Sequence, residues 1–222
     1  TPVGIKVQGS DASATIASVN FDGVTDNVTD VLLSSSSGVV FGNGNQFAGT
    51  TYFIDNQSSQ SFDLTGLSGT SYGGLTNNFR IEDRIHHRMD TDLALSTGLV
   101  TWVAGTVFVT KDGTDHSIQR GIDAATAGNT VSVEAGTYDE DVLVNKSLLL
   151  QGAGGDIVTG SIIRGVTGGS ANTVTVGSNG VTIDGFVVTR LGNTVSEWNN
   201  AFGTLNDQGV HFQGLSSGTL SN

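Results

Sequence analysis

The 222-residue chain has no cysteine, one proline (Pro2) and one methionine, and only 14% of it is charged. The missing cysteines exclude disulfide staples. They are compatible with secretion and do not fix a compartment. No run approaches the ~20 apolar residues of a membrane-spanning helix. No basic-plus-apolar leader opens the chain, so any secretion signal is expected to have been removed already. Basic side chains are scarce as well. Nine Lys and Arg face 21 Asp and Glu, for a net charge of −12. Such a surface repels nucleic-acid phosphates and anionic lipids, so neither is expected as a partner. It would take up a polyanionic glycan only through calcium or a local basic patch.

Glycine is abundant, at 32 residues. Ser, Thr and Asn fill most of the remaining polar positions. This composition favours turns and β structure over long helices.

The stretch from Asp115 to Gly154 organises the rest: DHSIQRGIDAATAGNTVSVEAGTYDEDVLVNKSLLLQGAG. Asp115 or Ser117 can cap a helix, because a side-chain oxygen can accept from an unpaired N–H of the first turn. Ile118, Ile122 and Ala125 then fall on one stripe, and Gly128-Asn129 stops the helix. Val131 and Val133 alternate with polar residues, as do Val142 and Val144 after the corner Gly136-Thr137-Tyr138. Leu148, Leu149 and Leu150 follow, apolar on both faces. The rhythm goes on through Ile162-Ile163, Val174-Thr175-Val176, Val181 to Val188 and Val210-His211-Phe212. Strands this short suit a chain that turns every few residues and stacks on its own previous turn, a β-solenoid.

The N-terminal part alternates in the same way, at Val3 to Val7, Ala14 to Phe21, Val31 to Leu33, Val39 to Phe41, Thr51 to Ile54 and Phe62 to Leu64. It reads as early coils with a cap, since a bare solenoid end exposes strand edges and core. Asn78 to Asp92, NFRIEDRIHHRMDTD, breaks the pattern. Ile81, Ile85 and Met89 have helical spacing, while Phe79, Ile81, Ile85, His87 and Met89 also fit a strand with Asp83 misplaced; the favoured reading is a short helix near residues 80–90. Leu99 to Thr110 reads as a hairpin or as two coil strands. At the tail, Ser217 to Asn222 looks like the start of another coil. The chain is therefore expected to be open there, as part of a longer protein or covered by a second copy.

Residues 115–222 resemble the entry helix and first coils of the pectin-lyase-like right-handed parallel β-helix superfamily. The residues that carry the resemblance are SIQRGIDAATAGNTVSVEAGTYDEDVLVNKSLLLQGAG and VTIDGFVVTR. The segment NFRIEDRIHHRMD with LVTWVAGTVFVT is similar to β-helix segments of large bacterial surface proteins. The resemblance implies an all-β parallel β-helix, with a short amphipathic helix near residues 117–126. It divides the chain into an N-terminal β-rich segment, 1–114, and β-helix coils, 115–222. It does not name a reaction, because that superfamily includes lyases, hydrolases, esterases, epimerases, tailspikes and non-enzymatic surface proteins.

The chemical signatures of its enzymes are missing. There is no polygalacturonase-like Asn-Thr-Asp, Asp-Asp or Gly-His-Gly, no epimerase-like Asp-Pro-His-Glu and no methylesterase-like Asp-Phe-Ile-Phe-Gly. The remaining candidates are weaker. Asp139, Glu140 and Asp141 are oxygen ligands that suit calcium, or else a solvated turn. Asp83, Asp90 and Asp92 offer the same alternatives. His86 and His87 are neighbours whose side chains diverge, so they are not expected to share a metal. One is expected to be packed and the other on the surface. His116 and His211 are isolated. Trp198 and Tyr138 are candidates to stack on sugar rings, Trp102 reads as core, and Asp184 is a candidate groove carboxylate. Asn27, Asn56 and Asn145 lie in N-x-S/T sequons, which a Ser/Thr/Asn-rich chain produces by chance. Val210, Phe212, Leu215 and Leu220 are candidates for assembly.

The sequence thus points to a non-enzymatic extracellular or cell-surface protein, structural or adhesive, assembling end to end. Its partners would be copies of itself, further coils or glycans. No cofactor beyond calcium is expected. The alternative is a polysaccharide-active lyase or hydrolase, a glycan-binding module, or a fragment of one.

Overall fold

The alternating segments form strands, and among the described residues their ladder pairings are parallel. The computed structural model describes residues 2–23, 27–35, 38–166, 172–191 and 209–221. Two compact units are formed, residues 1–104 with 113–115, and residues 105–112 with 116–222.

The first unit contains β1 (Val3–Gln8), β2 (Ser13–Ile16), β3 (Thr29–Ser34), β4 (Gly38–Phe41), β5 (Gln46–Phe47), β6 (Tyr52–Asn56), β7 (Phe62–Asp63), β8 (Ser71–Tyr72), α1 (Asn78–Glu82), β9 (Ile85–His86) and β10 (Val100–Thr101). Its largest sheet has the order β1-β3-β6-β9, and β2 pairs with β4, β5 with β8, and β7 with β10. Register stacks like on like. Ile5, Val31, Ile54 and Ile85 form one apolar column. The next residue along gives a second column, Lys6, Leu32, Asp55 and His86. Alternation of side chains across the sheet separates the two.

An aromatic cluster fills this unit. Phe47 is 1% exposed and stacks on Phe21 and Tyr72, with ring centroids 5.6 and 5.5 Å away. Phe41 meets Phe62 edge-on at 5.3 Å. Short strands need many corners, and corners strand backbone groups away from the ladders. Buried polar side chains satisfy them. Asp30 accepts from the Ala48 and Gly49 N–H groups, both at 2.7 Å. Asn45 donates to the Ile16 and Gly42 carbonyls at 2.9 Å each. Asn56 donates to the Gln60 and Gly98 carbonyls at 2.9 and 3.0 Å.

The second unit contains β11 (Thr106–Val109), α2 (Ile118–Ala124), β12 (Thr130–Val133), β13 (Gly136–Tyr138), β14 (Val142–Val144), β15 (Leu149–Gln151), β16 (Ser161–Gly165), β17 (Val174–Val176), β18 (Val181–Asp184), β19 (Phe186–Arg190), β20 (Val210–Phe212) and β21 (Gly218–Ser221). Its sheets are β11-β12-β15-β18-β21, β13-β16-β19 and β14-β17-β20. From β12 to β18 each strand therefore pairs with the strand three places later. Val107, Val131, Leu150, Ile183 and Leu220 stand in one column. Val144, Val176 and Phe212 stand in another. At one corner Gly152 lies against the Gly185 carbonyl so closely that a Cβ at residue 152 would collide with it.

One expectation changes and another narrows to one of its two alternatives. The helix expected near residues 80–90 ends at Glu82, and Ile85–His86 is a strand instead. Ile85 is 2% exposed beneath Ile54, so burial in a sheet column outweighs the helical spacing of Ile81, Ile85 and Met89. Leu99 to Thr110 is not a hairpin, because β10 and β11 belong to different sheets and each has a parallel partner. The helix expected at 117–126 is found as Ile118–Ala124, with Ser117 as its N-cap accepting from the Arg120 N–H. Among the described residues, no helix is long and apolar enough to cross a membrane.

The columns predict where mutation is felt. Leu150→Ala removes a side chain that is 0% exposed and should lower stability by about 2–5 kcal/mol in urea unfolding. Leu143→Ala, on a strand of the same unit but 43% exposed, should change it by no more than about 0.5 kcal/mol.

Candidate functional site

The acidic corner after Tyr138 is structural. Tyr138 is 2% exposed, and its hydroxyl donates to the Glu134 carbonyl at 2.9 Å. Its ring therefore faces the interior and has no free face for a sugar, which corrects the stacking role expected of it. Asp139, Glu140 and Asp141 do not converge on a calcium ion, because each is turned to a different partner. Asp139 takes both Arg164 donors, at 2.5 and 2.7 Å, and that guanidinium holds its carboxyl below the ordinary range. Asp141 accepts from Arg190 Nη1 at 3.4 Å and from the Val166 N–H at 3.3 Å.

Glu140 reaches the start of α2. It accepts from the Ile118 N–H at 2.6 Å, the Gln119 N–H at 3.1 Å and the Ser117 hydroxyl at 3.1 Å. Burial raises its pKa, although these hydrogen bonds pull the other way. Lys146 does the converse at the far end of the helix. Its Nζ donates to the carbonyls of Ile122, Asp123 and Ala125 at 2.7, 3.0 and 2.8 Å. The two charges flank β14 and complement the helix dipole. Between them Gln119 binds the backbone of Leu143, accepting from its N–H at 2.7 Å and donating to its carbonyl at 3.3 Å.

The densest cluster of ionisable side chains described lies in the first unit, around β9. Strand register sets Asp55 beside His86. Asp55 Oδ1 lies 2.9 Å from His86 Nδ1. On the other side of the ring, Nε2 faces Asp92 Oδ1 and Oδ2 at 3.1 and 3.3 Å. The Tyr52 ring stacks on the imidazole, with centroids 5.0 Å apart and planes at 15°. Asp90 is 5% exposed. It accepts from the His87 N–H at 2.7 Å and from the Thr114 hydroxyl at 2.6 Å. Burial opposes a charge on His86. The hydrogen bonds to Asp55 and Asp92 and the field of Asp90 outweigh it and push the pKa up to about 9.

His87 turns the opposite way, as alternation requires, but both histidines are buried, at 7% and 1% exposure. The expected surface histidine is therefore absent from this pair. His87 Nδ1 accepts from the Val100 N–H at 2.8 Å, so in the neutral ring the proton sits on Nε2 and is donated to Glu82 Oε1 at 2.8 Å. Burial, with Asp115, Asp90 and Asp83 nearby, pushes the Glu82 carboxyl well above its usual range. Asp83 does not join Asp90 and Asp92, because it pairs with Arg80 at 2.6 Å. Asp55 and Glu82 were not singled out from the sequence. Asp55 lies 31 residues from His86, and only register brings it there.

The other candidates are dispersed. Trp102 is half-buried against the aromatic core, and its Nε1 donates to Asn78 Oδ1 at 3.2 Å. His116 is exposed, and His211 Nδ1 lies 2.8 Å from Asn172 Nδ2. Asp184 accepts from the Ser221 hydroxyl at 2.8 Å. Trp198 lies outside the described residues. Val210 and Phe212 are half-buried in β20, whereas Leu215 and Leu220 are 97% and 51% exposed. Of the three sequons, Asn56 is fully buried and Asn145 is exposed.

Over 73 residues, 32% of its length, the chain is 38% identical to a protein of Methanothermus fervidus named cell surface glycoprotein. The match spans 11% of that protein. No family model matches the chain, and no solved structure matches it.

Two outcomes follow from this geometry. Glu140→Ala leaves helix N–H groups without an acceptor and should cost about 1–3 kcal/mol in chemical unfolding, most of which Glu140→Gln restores. His86 has a folded pKa of about 9, above the ~6.5 of an unfolded chain. Its stabilisation is complete below about pH 6.5 and is lost as pH rises through about 9. In chelator-treated protein the melting temperature should therefore fall over that interval, and by less in Asp55→Asn.

Proposed function

We propose that this chain is a segment of an extracellular surface protein, structural or adhesive and not enzymatic. We further propose that it is coiled as a right-handed parallel β-helix of the pectin-lyase-like kind. The observation that carries the reading is the likeness to a protein named cell surface glycoprotein. The strand order supports the coil. A chain that returns to each of three sheets in turn, always parallel and in register, needs a tight turn after every strand. The Gly, Asn and Ser content supplies those turns. Ser, Thr and Asn keep the outside polar while lysine and arginine stay scarce.

The partners in this reading are further coils, further copies of the chain, or glycans. Leu215 and Leu220 are exposed apolar side chains at or beside β21, whose four residues are all exposed. An exposed strand of this kind can pair with another.

A membrane-impermeant label applied to intact source cells should mark the protein. Sedimentation of the purified chain should show association that rises with concentration and weakens in Leu220→Asp. Labelling only after lysis would overturn the surface assignment. Release of reducing ends or unsaturated uronate from a polysaccharide would overturn the non-enzymatic one.

A further inference from the structure

His86, Asp90 and Asp92 present ligand atoms that all lie within 4.8 Å of one another. Two of the three residues are buried and the third is exposed, so the set is fixed on one side and open to water on the other. Each buried ligand has a partner that orients it. Asp55 Oδ1 lies 2.9 Å from His86 Nδ1, placed to accept the Nδ1 proton of a ring that gives its Nε2 lone pair to a metal. A carboxylate behind a ligating imidazole is the usual second partner of a metal-bound histidine. Asp90 is held by the His87 N–H and the Thr114 hydroxyl at 2.7 and 2.6 Å. Its oxygens keep a second lone pair each. Tyr52 stacks on the imidazole and restrains its rotation.

The spacing suits a small cation. Ligands about 2.0–2.1 Å from a tetrahedral ion stand about 3.3 Å apart. The His86 Nε2 to Asp92 separations are 3.1 and 3.3 Å. The Asp90 ligand atom lies within 4.8 Å of the other two. Two arginines of the same unit have partners elsewhere. Arg84 donates to the Gly49 carbonyl at 2.8 Å and lies over the Phe53 ring, and Arg88 Nε donates to the Thr97 carbonyl at 2.9 Å. A nitrogen ligand with two carboxylates favours a borderline transition ion over calcium, which takes oxygen ligands in larger number.

We propose that His86, Asp90 and Asp92 bind one divalent transition-metal ion, with zinc as the test ion, Asp55 orienting His86 and water completing the coordination. The ion ties β9 to the loop that follows, so its role is to brace this unit.

The test is calorimetric titration of the whole, chelator-treated chain with zinc chloride in a non-coordinating buffer, alongside thermal unfolding. One zinc per chain with a raised melting temperature is expected. Asp92→Asn should weaken binding at least tenfold, and since it also removes a carboxylate partner of His86 its metal-free melting temperature is measured alongside, so that the zinc-induced rise is compared within each variant. Asp55→Asn should weaken binding about 10–100-fold. A flat titration overturns the site, as does zinc uptake that Asp92→Asn leaves unaltered. Calcium binding as tight as zinc overturns the choice of ion.

Discussion

Register is the constraint on which both units depend. Each return of the chain must set its inward residues above those of the strand it pairs with, because a slip of one residue would turn every apolar side chain outward. The column Val31, Ile54, Ile85 in one unit and the column Val131, Leu150, Ile183 in the other show the rule obeyed. The same rule places what is not apolar. Asp55 meets His86 because the residues preceding them, Ile54 and Ile85, must meet. The meeting of Asp55 and His86 thus follows from core packing, and the loop after β9 adds Asp90 and Asp92 to it.

A chain with so few charges uses them where backbone groups would otherwise lack partners. Glu140 serves the start of α2 and Lys146 its end. Asp30, Asn45 and Asn56 serve corners. In each case one side chain satisfies two or more main-chain groups, which is what frequent tight turns demand. The short helix has an apolar stripe of Ile118, Ile122 and Ala125, all buried, and is tied at both ends to residues flanking the strand it covers. That arrangement shields β14 at one edge of its sheet.

The two functional readings rest on different features. The surface role rests on likeness to a named surface protein and on the polar, sparsely charged exterior. The metal site rests on the geometry around His86 alone. They are compatible, since an ion that joins a strand to its following loop stiffens a short-strand unit without requiring turnover.

Much of the architecture was legible in the residues. Alternation in Val131, Val133, Val142 and Val144, the stripe of Ile118 and Ile122, and the spacing of Gly and Asn all report local periods of side-chain burial, which a sequence carries directly. Ile81, Ile85 and Met89 satisfy two periods at once, and only pairing with β6 decides that the chain leaves the helix after Glu82 and continues as a strand. The acidic triplet Asp139, Glu140 and Asp141 looked like one site because sequence neighbours share a place on the chain. In the structure they separate, since consecutive side chains point apart and Arg164, Arg190 and the α2 N-terminus each draw one. The sequence by itself determined strand period, turn chemistry and the apolar faces, because these are properties of neighbours along the chain. Which distant residues meet was decided only by the tertiary structure: parallel pairing sets Asp55 beside His86, 31 residues on, and packing of α2 beside β14 brings Glu140 to the Ile118 N–H, 22 residues back.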